Sequence, residues 1–533
     1  MTLRFISLAV FIFLKSAHSD WAQSDDWQSS EEKLKKLLQY LHNNYVEKLS
    51  AHKLTEDAIK GILKSLDPHS YYMTKQEAQE ANEQLQGNFE GIGIHYHFEN
   101  DTLYILGTVE DSPADRAGIC PGDRLIRIED SLIAGEKKST KEITRLIKHS
   151  GKAYVRLSVL RPEEGRIIDF KIKKERIPSK AITAAYMLNE NVGYIRLARF
   201  TSTAPREFRE AIKKLQKSGM QNMLLDLRDN SGGYLTAAVD IAGEFLPKQS
   251  LIVYTEGLHS SRKNYETQKD GIFLNGQVIV LIDQSSASAS EIVAGALQDK
   301  DRGLIAGRRS FGKGLVQNTY YFSDGSAIRL TTARYYTPSG RCIQRPYTPG
   351  KSDDYNAEMK FREKRGELFH RDSIKQYDTL KFFTSNGRIV FGGGGIIPDI
   401  FIPRNSIYND SLFKNLNKDN LLNSFAISWL DKNRKKFLQT YPNALSFHKN
   451  FQVTQDFLED LVKYYRTKSL ELTPTEWNNS MFNRIINFIK SAIARNAWDI
   501  EESLMISNTE DPDIQLALKY FGTEGLSILK NDD

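Results

Sequence analysis

Strand-like and helix-like segments alternate between residues 192 and 297. The strand-like segments are apolar and rich in β-branched residues, and apolar side chains at helical spacing follow them. The segments are Val192–Leu197, Pro205–Gln216, Met223–Leu227, Thr236–Phe245 and Val278–Ile282, with a further helix after Ser288. This alternation predicts an α/β layered core. The runs 314–322 and 327–336, on either side of a Ser-Asp-Gly-Ser turn, predict a β-hairpin.

The last strand of the series leads into a serine-rich turn that is followed by a helix. A hydroxyl group at such a junction lies beside free N–H groups and the positive end of a helix dipole, which favour negative charge. The turn is therefore suited to a nucleophilic serine, and the candidates are Ser285, Ser286, Ser288 and Ser290. Spacing does not distinguish them. Ser288 and Glu291 also fit a capping box that would only begin the helix.

Two further segments supply candidate partners for a serine. Phe311-Gly-Lys-Gly-Leu-Val-Gln317 contains Lys313, which could act as a general base if burial or nearby positive charge lowered its pKa. If residues 313–317 are extended, Lys313 and Gln317 lie on one face of a strand. Asp226-Leu-Arg-Asp-Asn-Ser-Gly-Gly233 ends an earlier strand, and its glycine N–H groups could form an oxyanion hole. A solvated lysine and an ordinary turn are the structural alternatives.

Other catalytic patterns fit less well. Gly307 to Lys313 nearly matches a phosphate-binding loop, but Gly314 stands where Mg²⁺ ligation needs Ser or Thr, and a strand-like run follows. A Ser-His-Asp triad would need a histidine, and between residues 180 and 345 there is only His259, in a polar segment. These patterns therefore favour neither a nucleotide-binding enzyme nor a histidine-dependent hydrolase.

The N-terminus has the features of an export signal. Arg4 precedes the apolar run Phe5–Leu14, and Ala17-His-Ser19 offers a cleavage site of small residues. We expect a signal peptide at residues 1–19 and a periplasmic or secreted protein; an uncleaved membrane anchor is the alternative. The net charge of +6 over 533 residues gives no reason to expect nucleic acid. Two cysteines, without metal-site spacing, give no reason to expect a metal or cofactor.

The remaining regions differ in texture. Residues 20–87 are predicted to be helical, with two apolar stripes that indicate packing and with a helix end before Pro68. The stripes are Leu34, Leu37, Leu38, Leu41 and Tyr45, and then Leu54, Ala58, Ile62 and Leu66. Residues 88–176 are short strands and turns with a helix at 139–148, enough for one small domain. Residues 405–533 are polar and largely helical, and their candidate buried anchors are Trp429, Phe437, Phe457, Leu461, Tyr465, Phe488 and Ile489.

Several segments, taken in order, resemble one family, the carboxyl-terminal processing proteases. These are secreted serine endopeptidases with a Ser/Lys catalytic pair. The matching segments are Leu66-Asp-Pro-His-Ser70, Gly91-Ile-Gly-Ile94, Ser112 to Gly118, Gly122-Asp-Arg-Leu125, Asp226 to Gly233, Ser286-Ala-Ser-Ala-Ser-Glu-Ile292, Phe311 to Gln317 and Gly394 to Asp399. The resemblance runs from about residue 30 to residue 404. The segment from Tyr335 to Ile402 resembles the form found in Bacteroidetes-type bacteria.

The resemblance implies a fold and a division into domains. The fold would be an α/β protease core of the crotonase/ClpP-like type at residues 177–404, with an inserted PDZ domain at 88–176. Helical regions at 20–87 and 405–533 would flank them, the second as a cap or an oligomer contact.

The resemblance also implies the roles of individual residues. Ser288 would be the nucleophile, Lys313 the base and Gln317 the residue that orients the lysine. The backbone N–H of Ala289 and that of Gly232 or Gly233 would form the oxyanion hole.

In the PDZ domain the implied carboxylate-binding loop is Gly91, Ile92, Gly93 and Ile94, with the two isoleucines shaping an apolar pocket. We therefore expect an endopeptidase that captures apolar C-terminal tails of exported proteins. A catalytically silent peptide-binding scaffold is the alternative. Proximity to a membrane, a homo-oligomer and an adaptor protein are partners that the sequence leaves open.

Overall fold

The computed structural model describes residues 27–99, 101–148, 152–162, 164–374, 380–404, 411–470 and 478–530. The predicted signal peptide, residues 1–19, lies outside these ranges. Within them, no helix combines the length and the apolar character that crossing a membrane requires. The described residues divide into one compact unit that ends at Ile62 and another that begins at Leu63.

Helices α1 (Trp27–Asn44) and α2 (Ala51–Lys64) open the described chain. The packing predicted for the first apolar stripe is wrong, because no residue of α1 is buried. The leucines of that stripe are instead exposed or half-buried. The packing predicted for the second stripe is wrong as well, because all four of its residues are exposed or half-buried and Leu63, the buried residue of α2, is not one of them. Amphipathic spacing shows that a helix has an apolar face but not that another element covers it. The helix does end before Pro68, as predicted.

Strand β1 (Tyr71–Met73) and helix α3 (Lys75–Gln86) follow. Helix α3 begins at a capping box formed by Thr74 and Glu77 and ends at Gly87, whose φ of 71° is left-handed. The region 20–87, expected to be helical, therefore also contains a strand that its sequence pattern did not predict.

A small sheet domain comes next, with its strands and helices close to where the sequence predicts them. Its elements are β2 (Asn88–Gly91), β3 (Ile94–Glu99), β4 (Thr102–Thr108), α4 (Pro113–Arg116), β5 (Arg124–Ile128), β6 (Ser131–Leu132), α5 (Thr140–Lys148), β7 (Tyr154–Arg161), β8 (Arg166–Lys173) and β9 (Glu175–Pro178). The sheet order is β3-β4-β5-β7-β8, with β6 on β5, while β2 pairs with β9. Strand β3 therefore lies at the edge of the sheet.

The α/β core predicted from the alternating pattern is present. Its elements are β10 (Ile182–Met187), β11 (Val192–Leu197), α6 (Ala204–Lys217), β12 (Asn222–Asp226), α7 (Leu235–Gly243), β13 (Leu251–Gly257), β14 (Ser260–Glu266), β15 (Val278–Ile282), α8 (Ala289–Asp299), β16 (Leu304–Gly307), β17 (Leu315–Tyr321), β18 (Ala327–Tyr336), α9 (Ser352–Lys364), β19 (Lys381–Phe383), β20 (Ile389–Phe391) and β21 (Ile400–Phe401). The main sheet has the order β10-β11-β12-β15-β16-β21 and is parallel except for β10.

A second sheet joins strands that are distant in sequence. Its order is β1-β18-β13-β14, with β17 on β18. The predicted hairpin is the pair β17–β18. Strands β13 and β14 were not predicted, and β1 reaches this sheet from the helical N-terminal region.

The C-terminal region is helical, as predicted. Its helices are α10 (Ser411–Leu416), α11 (Leu421–Thr440), α12 (Ala444–Asn450), α13 (Gln455–Thr467), α14 (Asn479–Ala497), α15 (Ile500–Ser507), α16 (Pro512–Lys519) and α17 (Thr523–Lys530). The predicted anchors are confirmed: Phe437, Phe457, Leu461, Tyr465 and Ile489 are buried in one apolar cluster, and Trp429 and Phe488 pack against it.

Both faces of the main sheet are covered. Residues at alternate positions, such as Leu225 and Val280, face the cluster that contains α6, α7 and α8. Their neighbours Leu224 and Ile279 face a second cluster, to which α16 contributes Ile514. A parallel sheet buried on both faces explains why its strands are apolar along their whole length.

Candidate active site

Three of the segments singled out in the sequence meet at one edge of the main sheet. Strands β12, β15 and β16 are parallel neighbours, so their carboxyl ends lie side by side. The loop after β12 carries the two glycines, the loop after β15 carries the serines, and the loop after β16 carries Lys313. The crevice outside the carboxyl ends of parallel strands is where α/β proteins usually bind their ligands.

The hydroxyl groups of the serine turn differ in their surroundings. Ser286 is buried and donates to Leu227 O at 2.7 Å, and Ser290 is buried and donates to Asn230 O at 2.8 Å. Ser288 is half-buried at the start of α8. Half-burial therefore distinguishes Ser288, together with Ser285, from Ser286 and Ser290. The assignment of Ser288 as the nucleophile stays a prediction.

The backbone of Ser288 is strained. Its φ is 55° and its ψ is −113°, a region that residues with a side chain rarely occupy. A serine held on a sharp strand-to-helix turn of this kind has its hydroxyl group displayed at the top of the sheet. Such strain costs of order 1–3 kcal/mol and persists only where the surrounding structure fixes it.

Glu291 is the group that fixes this turn to the lysine loop. Its fully buried carboxylate accepts hydrogen bonds from Ser288 N (2.7 Å) and Lys313 N (2.9 Å). It also accepts from Gly312 N (2.6 Å) and from Ser310 Oγ (2.5 Å). Burial raises the pKa of Glu291 to about 7, while these hydrogen bonds act in the opposite direction. The glutamate of the predicted capping box therefore does more than begin a helix.

Tyr335 joins the same two residues from their carbonyl side. Its hydroxyl donates to Lys313 O and lies 3.2 Å from Ser288 O. The sequence pattern gave Tyr335 no role beyond its place in the hairpin. Together with Glu291, it holds the backbone of Ser288 and Lys313 in a single hydrogen-bonded unit.

The pKa of Lys313 is lowered toward neutrality, as a lysine that acts as a general base requires. Burial lowers the pKa of Lys313 to about 8, and the positive charge of Arg329 acts in the same direction. The negative charges of Glu291 and Asp67 oppose the shift. This meets the condition that the sequence set for a catalytic lysine.

The expected relation between Lys313 and Gln317 does not follow from strand geometry. Strand β17 begins only at Leu315, and its ladder with β18 shifts between Val316 and Gln317. Simple alternation therefore cannot put Lys313 and Gln317 on one face. Gln317 Nε2 is buried and has no hydrogen-bond partner in the described chain. The role of Gln317 in orienting the lysine stays a prediction.

The glycine turn packs directly on the serine turn. A Cβ atom on Gly232 would lie 2.9 Å from Ser288 Cβ and 3.0 Å from Ala289 N, so this approach requires glycine. Gly232 donates its own N–H to Asn230 Oδ1 at 2.9 Å. Among the residues described, Gly233 and Ala289 donate their backbone N–H groups to no acceptor. Of the two glycines, Gly233 is thus the one with an N–H group available for an oxyanion.

The Leu66–Ser70 segment also lies near the lysine. Asp67 accepts hydrogen bonds from Ser70 Oγ (2.6 Å) and from Thr331 Oγ1 (3.0 Å) of β18. His69 Nε2 lies 3.0 Å from the hydroxyl of Tyr355. Burial, and then the charge of Lys313, lower the pKa of His69 to about 4, so the ring is neutral at neutral pH. Asp67 and His69 were missed as site residues, since the sequence marked this segment only as a helix end and as part of the resemblance.

The C-terminal helices contact the loops on both sides of the serine turn. Arg228, on the loop of the glycines, donates to Asp511 (2.9 Å) and Asp513 (3.1 Å). Asp513 also accepts a hydrogen bond, at 3.0 Å, from Arg308, which lies on the lysine loop. No such contact was predicted, because the partners come from a region whose sequence shows only helical patterning.

The predicted carboxylate-binding loop lies between β2 and β3. Ile92 is buried in the core of the small domain rather than lining an open pocket, and Ile94 is half-buried beside it. Gly93 has a φ of 80°, and a Cβ atom there would lie 2.2 Å from Ser112 Cβ. In the structure as described, the backbone N–H groups of Ile92 and Gly93 have no acceptor.

Comparison with protein families agrees with this architecture. A model described as peptidase family S41 matches residues 191–356, and one described as a PDZ domain matches residues 104–161. Residues 13–77 match the N-terminal domain of the activating protease CtpB, and residues 412–499 match a family of unknown function. The fold and site, with these matches, define a serine-type peptidase that carries a PDZ domain.

Curated relatives narrow the class. A probable CtpA-like serine protease of Staphylococcus epidermidis is 34% identical over 334 residues, which cover 61% of this chain and 66% of the relative. Its counterpart in Staphylococcus aureus (strain COL) is 33% identical over 345 residues, covering 63% and 67%. A photosystem II D1 C-terminal processing protease matches with a TM-score of 0.37 and 24% identity over 72% of this chain and 89% of the other. The matched region spans about two thirds of the length of the curated relatives. The chain belongs to peptidase family S41, the carboxyl-terminal processing proteases.

Replacing Glu291 with glutamine should lower kcat by about tenfold to a hundredfold with little change in KM. The amide keeps the size of the side chain, but its own N–H donors would face the backbone N–H groups whose hydrogen bonds Glu291 now accepts. Hydrogen bonds to charged groups are worth about 1.5–3 kcal/mol each. Steady-state peptide cleavage measures the effect. Glu244→Gln, at a buried glutamate after α7, is the matched control and should retain wild-type kcat. Equal kcat values for the two variants would contradict the role given to Glu291.

Peptidase activity should rise with pH between about 6 and 9. Lys313, with a pKa lowered to about 8, becomes neutral as the pH rises through that value, and Glu291, with a pKa raised to about 7, becomes charged. Both changes favour the reactive form, so kcat/KM should have its rising limb in this interval. The measurement is a pH–rate profile on one peptide, with thermal unfolding at each pH as the control for folding. A profile that falls over this range would be incompatible with a lysine base.

Proposed function

We propose that this protein is an endopeptidase that cleaves exported proteins near their C-termini, with Ser288 as nucleophile and Lys313 as base. The observation that carries the proposal is the hydrogen-bonded unit in which Glu291 and Tyr335 hold the backbone of Ser288 and Lys313 together. A serine in strained backbone next to a buried lysine of lowered pKa is an arrangement suited to acyl transfer.

The reaction follows from these groups in order. Neutral Lys313 Nζ accepts the proton of Ser288 Oγ as Oγ bonds to the scissile carbonyl carbon. The tetrahedral intermediate collapses, the C–N bond breaks, and Lys313 gives its proton to the leaving amine. Water then attacks the acyl-enzyme, again with Lys313 as base, and Ser288 Oγ leaves with the returned proton. No metal or nucleotide takes part in these steps.

The oxyanion hole would consist of the backbone N–H groups of Ala289 and Gly233. Both are without an acceptor within the described residues, and Ala289 is the first residue of α8, where the helix dipole favours negative charge. Preorganised donors of this kind stabilise the charge that develops on the carbonyl oxygen.

The PDZ domain would select the substrate. Strand β3 is an edge strand and can accept an extended peptide as a further strand. The unpaired N–H groups of Ile92 and Gly93 precede that strand and suit a terminal carboxylate. The hydroxyl of Tyr96 on β3 lies 2.8 Å from the hydroxyl of Thr144 on α5. Helix α5 therefore lies beside the edge strand to which the peptide would add. Half-buried Ile94 would contact an apolar tail.

The place of action would be the periplasm or the exterior of the cell. The support is Arg4 with the apolar run 5–14 and the small-residue site at 17–19. Substrates would then be exported proteins with apolar C-terminal tails.

Ser288→Ala and Lys313→Ala should each abolish cleavage of a peptide substrate while the protein stays folded. The first variant removes the nucleophile, and the second removes the base that activates it. Ser285→Ala, in the same turn, and Lys300→Ala, at the far end of α8, are matched controls and should cleave at close to wild-type rate. Cleavage by either site variant at wild-type rate would refute the assignment. A fluorophosphonate that labels wild type but not Ser288→Ala would exclude the alternative of a silent scaffold.

Amidation of the substrate's C-terminus should lower kcat/KM by about tenfold or more if the PDZ domain captures a free carboxylate, since charge-assisted hydrogen bonds are lost. Gly93→Ala should have the same effect on the free-acid substrate, because its Cβ would meet Ser112. Gly107→Ala is the control within the same domain, where a Cβ atom has no neighbour within 4 Å. If the free acid and the amide are cleaved equally by wild type, tail capture by this loop is wrong.

A further inference from the structure

A separate cavity borders the loop that carries Lys313. It has a volume of about 350 Å³ and lies between α9 and the segment that precedes it, with Gly393 and Gly394 on one side. Its side chains are strongly basic and include Arg309, Arg345, Lys351 and Arg362. No predicted catalytic residue lines it.

Arg345 is the unusual residue of this cavity. Its guanidinium lies between two aromatic rings, with Cζ 4.2 Å from the ring centre of Phe311 and 3.7 Å from that of Tyr355. The residue is 4% exposed, and in the described structure its Nε and Nη1 have no hydrogen-bond partner. A guanidinium is a donor that stays charged, so burial without an acceptor is unfavourable.

The neighbouring arginines have too little negative charge to compensate. Arg309 and Arg362 share a single carboxylate, that of Glu367, with N–O distances of 2.7 Å to each. Arg309, Arg345, Arg362 and Glu367 are all buried, so three positive charges face one negative charge. Burial, and then the charge of Arg309, lower the pKa of Arg362 to about 10, as expected for an excess of positive charge. The acidic residues that line the cavity, Asp354 and Glu358, are less buried, and Glu358 accepts a hydrogen bond from Arg365.

We propose that this cavity is a binding site for a small anion, either an inorganic oxyanion or a carboxylate, and that Arg345 supplies the buried positive charge that attracts it. Guanidinium groups suit phosphate and carboxylate oxygens because they present several N–H donors in one plane. Exposed Lys351 adds a cation at the rim of the cavity. The cavity does not suit a cation or a wholly apolar ligand.

The site is coupled to the lysine loop through the backbone. Arg345 donates its backbone N–H to Gly312 O at 3.0 Å, and the side-chain oxygen Oε1 of Gln344 accepts a hydrogen bond from Gly314 N at 2.8 Å. An anion bound at Arg345 would therefore restrain Gln344 and Arg345, which are hydrogen-bonded to the two glycines that flank Lys313. This inference concerns binding and does not require that the protein be a peptidase.

The test compares three forms of the full chain: wild type, Arg345→Met and Arg365→Met. Methionine keeps much of the apolar stem and removes the charge, and Arg365 is an exposed arginine of the same cavity with a partner of its own in Glu358. Thermal unfolding midpoints are measured in sodium phosphate and in sodium chloride of equal ionic strength, and phosphate binding is measured by calorimetry. A second arm uses N-acetyl-dialanine with a free carboxylate and its amide.

We expect the wild-type midpoint to rise with phosphate concentration beyond the effect of chloride. Arg345→Met should lose this rise and bind phosphate at least about tenfold more weakly, because charge-assisted hydrogen bonds are lost. Arg365→Met should keep both properties. In chloride, Arg345→Met should be close to wild type in stability, since the loss of the contacts with the two rings is offset by the removal of a buried charge.

Other outcomes would overturn the proposal. A wild-type midpoint that is the same in phosphate, in the free dipeptide and in chloride would reject the site. So would an Arg345→Met variant that keeps the wild-type response, or one destabilised equally in every salt, which would assign the arginine a packing role. A response that Arg345→Met loses would identify the ligand: a response to the free dipeptide but not to its amide or to phosphate would assign a peptide carboxylate, and a response to phosphate alone would assign a free oxyanion. A dipeptide response that Arg345→Met keeps would come from a different carboxylate site and would reject a carboxylate as the ligand of this cavity. Because no arm measures cleavage, a failure here leaves the proposed peptidase activity unaffected.

Discussion

The site depends on one buried carboxylate. Glu291 lies in the first turn of α8. It accepts hydrogen bonds from the backbone of Ser288, Gly312 and Lys313 and from the hydroxyl of Ser310. Each of these donors is buried or half-buried, so each would lose its partner at once if the carboxylate were withdrawn. The serine turn and the lysine loop therefore cannot move independently of each other. A buried negative charge is also one reason why Lys313 keeps a pKa near 8 rather than a lower one.

The sheet explains why these loops meet, and the C-terminal helices explain how they are held. Parallel neighbours bring the loops after β12, β15 and β16 to one edge. Helix α16 packs on one face of the same sheet, and the aspartates at its start pair with Arg228 and Arg308. Residues at the start of α16 thus contact the loops on either side of the serine turn. Their hydrogen bonds reach Arg228 and Arg308 and so hold these two loops.

Much of this could be predicted from the sequence, because hydrophobic period and chain order report directly on local structure. Strands β11 and β15, helix α8 and the hairpin β17–β18 lie where their patterns indicate. The resemblance supplied Ser288 and Lys313, whose assignment depends on the order of the motifs along the chain. Local pattern could not distinguish Gly232 from Gly233, because that choice depends on which N–H group is already paired.

Other errors have the same origin in tertiary structure. The bulge after Val316 breaks the alternation on which the argument for Gln317 relied. The leucines of α1 have helical spacing whether or not they are covered, and in the structure they are not buried. Asp513 could not be connected with the site at all, since it pairs with a residue 285 positions earlier in the chain.

That separation sets an order of assembly. The strands, the serine turn and the lysine loop are all synthesised by residue 401, but the ion pairs that fasten the flanking loops require Asp511 and Asp513. During synthesis, the chain would therefore carry every reacting group for some time before those loops are clamped. The loops that flank the serine turn reach their full set of ion pairs only when α16 has docked.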